Sequence, residues 1–184
     1  MLKMHGSLAV MRASFPSEGE IARRESDRIT SKPRKAAEMR DRIKAFLKEK
    51  DMCVLATTRE GRPHCSLMAY IADEEGEWIY MVTHRSTTKY TNLLHNQEVS
   101  LLVDNRCEGL PADRGKIQAL TVHGVFHEVE KQETRQELLE KIQKRHPHMR
   151  EFLIHPEAEI ISVRASSFLF LDGISDAHHI TLTP

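Results

Sequence analysis

At 184 residues and 40% apolar content, the chain suits one domain with a core of its own. Its 27 basic and 27 acidic residues cancel, so no net charge draws it to nucleic acid or to an anionic membrane. No apolar run approaches the roughly 20 residues of a membrane span, and Cys53, Cys65 and Cys107 form neither a disulfide framework nor a C-x-x-C metal pair.

Residues 1–33 mix Gly, Ser, Pro and charge without a sustained period, and Lys32-Pro33 resists a continuous helix, so this part reads as a flexible or partner-dependent extension. Its apolar stretch Leu8-Ala9-Val10-Met11 is broken by Arg12 and lacks a cleavage site, so a cytoplasmic protein is expected. From Arg34 to Lys50, Ala36, Met39, Ile43, Ala45, Phe46 and Leu47 recur near helical spacing and predict an amphipathic helix. Met52–Thr58, Pro63–Ile71 and Glu77–Thr83 then read as three strands joined by the glycine turns Arg59–Arg62 and Asp73–Gly76. Cys53 and Cys65 fall inside them as small packing residues. Ser86-Thr87-Thr88-Lys89 opens a short helix that ends at Asn96. Val99–Val103 is a further strand, apolar on nearly every residue and so expected to be covered on both faces.

Gly109–Gly115 is a loop by composition. Ile117–Val129 reads as a long strand in which Gly124 marks a bulge or a close backbone approach. Helical spacing returns from Lys131 to Arg145 and stops before Pro147, and a further turn carries Met149, Phe152 and Leu153. Glu159–Arg164 and Ser167–Leu171 read as two closing strands, followed by a tail over 176–184. Many short strands with few helices predict a mainly β (α+β) fold, an antiparallel barrel whose closure removes exposed edges.

The chemistry concentrates at Ser86-Thr87-Thr88-Lys89. A hydroxyl-rich helix start seats a phosphate, because unpaired N–H groups and the helix dipole attract the anion and a lysine adds a point charge. The competing reading is a solvated lysine beside an ordinary Ser/Thr cap. Among the 11 histidines, His123 and His127 share a strand face but stand about 13 Å apart along it, too far to chelate one ion. His146-Pro147-His148 and His178-His179 lie near a helix end or the tail. No Ser-His-Asp order or paired carboxylates stand out, so neither a catalytic residue nor a metal site is assigned.

The ordered segments Gly61–Ser66, Ile79–Thr83, Thr88–Leu94 and Asn96–Arg106 resemble the pyridoxamine 5'-phosphate oxidase-related family of FMN-binding split barrels. The likeness spans about residues 35–130, loosens to about 172, and is absent from the first 30. It implies a six-stranded antiparallel split barrel with flanking helices over 34–175, and a homodimer with FMN in a cleft at the subunit interface. It also implies an oxidoreductase that exchanges hydride or electrons with a small-molecule substrate or electron donor. By the same resemblance Thr88 and Lys89 hold the phosphate, helped by Ser86 and Thr87. His64, Ser66, Leu67 and Met68 line the strand that reads the isoalloxazine, and Val82 and Thr83 end the strand beside it. Arg62 either reaches a phosphate or is a solvated turn residue, while Asn105 and Arg106 lie near the partner's flavin.

The chain departs from authentic pyridoxamine 5'-phosphate oxidase where it matters for substrate. Cys65 and Tyr70 stand where the second strand of those enzymes carries an arginine and a lysine. The serine-arginine-lysine step has lost one basic residue, and the C-terminal tryptophan and arginine are missing, Trp78 being the only tryptophan. Pyridoxal phosphate synthesis is therefore not expected. A deazaflavin-dependent reductase, whose longer cofactor tail needs an extended basic groove, and a non-catalytic flavin- or haem-binding module are the alternatives.

Overall fold

Seven strands and four helices are built from residues 33–106 and 115–182, the part of the chain that the computed structural model describes. The expectations for residues 1–32, for Cys107 and for most of the 109–115 loop lie outside the described residues. Helix α1 is Pro33–Glu49. Pro33 opens this helix, since a proline at the first position lacks only an N–H that the helix would not use. The ladder strands are β1 (Met52–Arg59), β2 (Arg62–Ala72), β3 (Trp78–His84), β4 (Glu98–Asp104), β5 (Gln118–His127), β6 (Ala158–Asp172) and β7 (Asp176–Thr181). Helix α2 (Thr88–His95) joins β3 to β4, and α3 (Gln132–Arg145), a 3-10 turn (Pro147–Met149) and α4 (Arg150–Leu153) join β5 to β6.

The sheet runs β3-β2-β1-β4-β5-β6-β7, all antiparallel, and β3 also pairs with β6, so six strands close into a barrel. Alternate side chains point inward, as the period of two requires, and Leu55, Ile79, Met81, Leu101, Leu120 and Val122 are fully buried there. On β4 only Val99, Leu101 and Val103 are buried, while Ser100 and Leu102 on the outer face are half-covered, so the expected cover on both faces is incomplete within one chain.

Two closing strands were expected; β6 is instead one strand of 15 residues. The interruption is a bulge, because His123 of β5 pairs with Ser167 while Gly124 pairs with Ala165, which leaves Ser166 extra. There the backbones approach so closely that a Cβ on Gly124 would lie 2.6 Å from the Arg164 carbonyl oxygen. Beyond the bulge, β6 leaves β3 and pairs with β7, the segment expected to be a tail, whose Ile180 packs on the core with Leu182.

Helix α1 stops one end of the barrel. Tyr70 Oη donates to the Leu47 carbonyl at 2.9 Å, Phe46 meets Phe170 edge-on at 5.5 Å, and Lys44 reaches Glu75 in the β2–β3 turn. Helix α2 stops the opposite end with Asn92 and Leu93. Helices α3 and α4 lie outside, where Leu138, Ile142 and Leu153 cover Val82 and Ile160. Among the described residues, no helix is long and apolar enough to cross a membrane.

The barrel is split between β2 and β3. Their ladder holds only Tyr70↔Met81, Ile71↔Tyr80 and Ala72↔Ile79, while β2 pairs with β1 along its whole length. The Tyr70 N–H bond to the Asp51 carbonyl sets the phase of the β1–β2 ladder. Main-chain groups of His64, Ser66 and Met68 therefore face β1, and those of Cys65, Leu67 and Ala69 face the gap.

Candidate functional site

Helix α2 begins at the mouth of this split, in the connection after β3. Its N-cap, Thr87, has extended backbone (φ −85°, ψ 148°) but makes no side-chain cap. The Thr87 hydroxyl donates instead to the His84 carbonyl at 2.8 Å and lies 2.9 Å from Thr83 Oγ1. The first-turn N–H groups thus keep no capping side chain, and the positive end of the helix dipole stays open.

Lys89 follows on the face that turns toward the barrel. It is half-buried, its Nζ lies 3.4 Å from Thr83 Oγ1, and among the described residues no carboxylate pairs with it. Burial alone pushes its pKa below the ordinary 10.5. A partly desolvated lysine without a counter-ion beside an uncapped helix start is an anion seat.

Its neighbours are otherwise engaged. Ser86 donates to the Glu157 carboxylate at 2.8 Å, and the Arg85 main chain bonds the Glu157 carbonyl. The Arg85 guanidinium binds Glu159, which Arg135 holds from the other side at 2.9 Å. That triad lines a polar cavity of about 270 Å³ beside Tyr90, so Arg85 does not replace the basic residue missing before Lys89.

The expected residues divide into groups. Thr83, Thr87, Thr88 and Lys89 come together at the mouth, with Ser86 beside them on Glu157. His64 and Ser66 turn inward on β2 at the same end. Met68 is 6% exposed within the core, and Val82 is 3% exposed under α3 and α4, so neither offers a side chain to a ligand. Leu67 points outward at 71% exposure, and Arg62 is exposed in the β1–β2 turn opposite Arg59. Asn105 and Arg106 follow the far end of β4, at the end of the barrel opposite α2. There Asn105 accepts from the Gln118 N–H, and Arg106 pairs with Asp104.

Sequence reasoning did not single out Asn92 and Thr57, both buried, nor say that of the β2 main-chain groups it is those of Cys65, Leu67 and Ala69 that face the gap. Asn92 had a signal, for residues three apart share one helix face and Lys89 stands one turn before it. The strand edge had none, because which face of a ladder stays unpaired depends on where β3 diverges.

Residues 39–170 match the family model of pyridoxamine 5'-phosphate oxidase. No curated protein matches the chain. Among solved structures it is similar to Campylobacter jejuni ChuZ, with a TM-score of 0.68 and 12% identity over 90% of this chain and 69% of that one. It is also similar to a heme binding protein from Mycobacterium smegmatis, at TM-score 0.65 and 16% identity, covering 75% of this chain but only 56% of that protein. A FAD-binding protein from Mesorhizobium loti matches at TM-score 0.58 and 14% identity, over 70% of this chain and 91% of that one. At such identities the likeness is one of fold.

Proposed function

Because the chain belongs to the pyridoxamine 5'-phosphate oxidase family, we propose that it is an FMN-binding flavoprotein, an oxidoreductase for a small molecule other than pyridoxamine 5'-phosphate. One observation carries the reading: Lys89, which among the described residues has no carboxylate partner, and the uncapped start of α2 stand at the mouth of the split that the free edge of β2 borders. The phosphate sits on the α2 N–H groups and Lys89, with the Thr87 hydroxyl beside it and Thr83, itself buried, behind Thr87 and Lys89 as their hydrogen-bond partner. The ring edge lies along β2, where Cys65 and Leu67 each present an N–H and a C=O that among the described residues pair with nothing. Bound FMN supplies the hydride or electron chemistry, while the protein binds and orients it.

A homodimer completes the site. Leu67, Val54 and Leu102 form one cross-strand row on the outer faces of β2, β1 and β4, next to the free edge. A second copy laid over this row buries it and brings Asn105 and Arg106 to the cofactor of its partner. The free, exposed thiol of Cys65 suits a reducing, cytoplasmic setting.

The substrate reading rests on the missing basic clamp. Cys65 points outward, the Tyr70 hydroxyl is spent on Leu47, and Arg164 lies over the Trp78 ring, so none grips a substrate phosphate. FMN-loaded protein is expected to give no saturable aerobic turnover of pyridoxamine 5'-phosphate, and efficient pyridoxal 5'-phosphate formation would refute this. For the cofactor, purified protein is titrated with FMN and its visible spectrum recorded, since flavin, deazaflavin and haem bands differ. A charge-assisted contact is worth about 1.5–3 kcal/mol, so Lys89→Ala should weaken FMN binding roughly tenfold to a hundredfold. Parent-like FMN affinity in that variant sinks the phosphate assignment.

A further inference from the structure

Two polar side chains sit where the barrel interior is otherwise apolar. Thr57 is 1% exposed and Asn92 is 4% exposed, in the company of Leu55, Leu93 and Leu101. Asn92 Nδ2 donates to Thr57 Oγ1 at 3.1 Å, and Thr57 Oγ1 makes a longer bond of 3.4 Å to the His64 carbonyl. A leucine and a valine would fill the same space without desolvating an amide and a hydroxyl. What the polar pair adds is direction. A hydrogen bond constrains distance and angle, so it fixes both the rotation of α2 and its height over β1. Apolar contacts would let the helix slide.

The location gives that constraint a use. Asn92 lies one turn after Lys89 on the same face of α2, and Thr57 stands directly opposite His64 on β2. The pair therefore spans the interval between the anion seat and the strand with the free edge.

We propose that Asn92, acting through Thr57, is a positioning residue that sets the spacing between the phosphate seat on α2 and the open edge of β2, so that one cofactor engages both. This rests on the flavin reading above. A fixed spacing matters only to a ligand held at both ends, because attachment at one end raises the local concentration of the other only if the geometry allows both. FMN has both ends; riboflavin has the ring and no phosphate.

Thr57→Val and Asn92→Leu, both close in shape to the parent residues, are titrated with FMN and with riboflavin, and melting temperatures are recorded. Each variant is expected to lose about tenfold in FMN affinity, or about 1.4 kcal/mol, with riboflavin affinity changed less than about twofold. The double variant should be no weaker than either single one, since both cut one link, and Thr57→Ser should restore the parent ratio. Should Asn92→Leu fail to fold, the Thr57 variants alone decide. An unchanged ratio of FMN to riboflavin affinity in folded Thr57→Val overturns the proposal, as does a parallel loss for both ligands that tracks the loss of stability. If the parent binds neither ligand, the flavin reading falls and takes this one with it. If the parent binds both and the variants keep its ratio, only the positioning role falls.

Discussion

In the proposed function Lys89 holds the phosphate, and its half-buried environment ties that role to pH. Burial lowers its folded pKa below the 10.5 of the unfolded chain. The unfolded state therefore binds more protons, so the charged lysine costs stability at neutral pH, and that cost is relieved as pH rises through the folded pKa. Binding runs the other way, since an anion needs the charged form. FMN affinity should fall as the pH is raised toward 10.5, earlier than a fully solvated lysine would allow. The check is an FMN titration series across that range, in which Lys89→Arg holds its affinity to higher pH because arginine stays charged. A parent curve that stays flat through the whole range would remove Lys89 from the phosphate. That Thr88 and Lys89 open a helix was legible because residue type at a helix start is local information. The burial of the Met68 and Val82 side chains was not legible, because strand alternation says that a side chain faces one side, but not whether a barrel core or a distant helix covers it.

The elements that frame the site show what else a sequence can and cannot carry. The six barrel strands, the helix over residues 33–49 and the short α2 were readable from period and turn residues. The Ala165-Ser166-Ser167 step reads as a break between strands, yet a strand can absorb one extra residue as a bulge, and the deciding partner is Gly124 on β5, some forty positions away. Gly124 itself was legible as a close approach. Its fit fixes an expected outcome: Gly124→Ala drives a methyl to within 2.6 Å of the Arg164 carbonyl, so β6 must shift or the bulge must open. Overpacking of this kind costs about 1–3 kcal/mol, to be read from the urea midpoint of the variant. Stability equal to the parent would mean that the β5–β6 ladder relaxes freely at the bulge. The strand β7 was missed because Asp176-Ala177-His178-His179 has no apolar alternation of its own until Ile180. It forms because β6 outruns β3 and leaves an edge to be paired.

At the scale of the whole molecule, one chain carries the uncapped start of α2, Lys89 and the free edge of β2, and leaves an apolar row beside them in water. Leu67 is 71% exposed and Met52 is 40% exposed, and Val54 and Leu102 extend the same surface across two strands. Such a row on a barrel wall next to the β2–β3 split argues for cover by a second copy rather than for a solvated face. The expectation of a dimer came from the resemblance and from the apolar run of β4, and the row at Leu67 was not part of it, because Leu67 becomes an outward residue only once the register with β1 is fixed. Asn105 and Arg106 give the sharper consequence. They follow Lys89 by 16 and 17 positions (105 − 89 and 106 − 89) and lie at the opposite end of the barrel, so the proposed dimer assigns them to the partner's flavin. Light scattering of the FMN-loaded protein should return twice the 21.2 kDa chain mass. Leu67→Asp, which places a charge at the free-edge end of the row without touching the core, should shift that mass toward the monomer and weaken FMN binding together with it. Arg106→Ala should weaken FMN binding in the dimer while leaving its mass unchanged. A monomer mass with FMN fully bound would refute the shared site, and the phosphate seat on α2 would then have to serve a single chain alone.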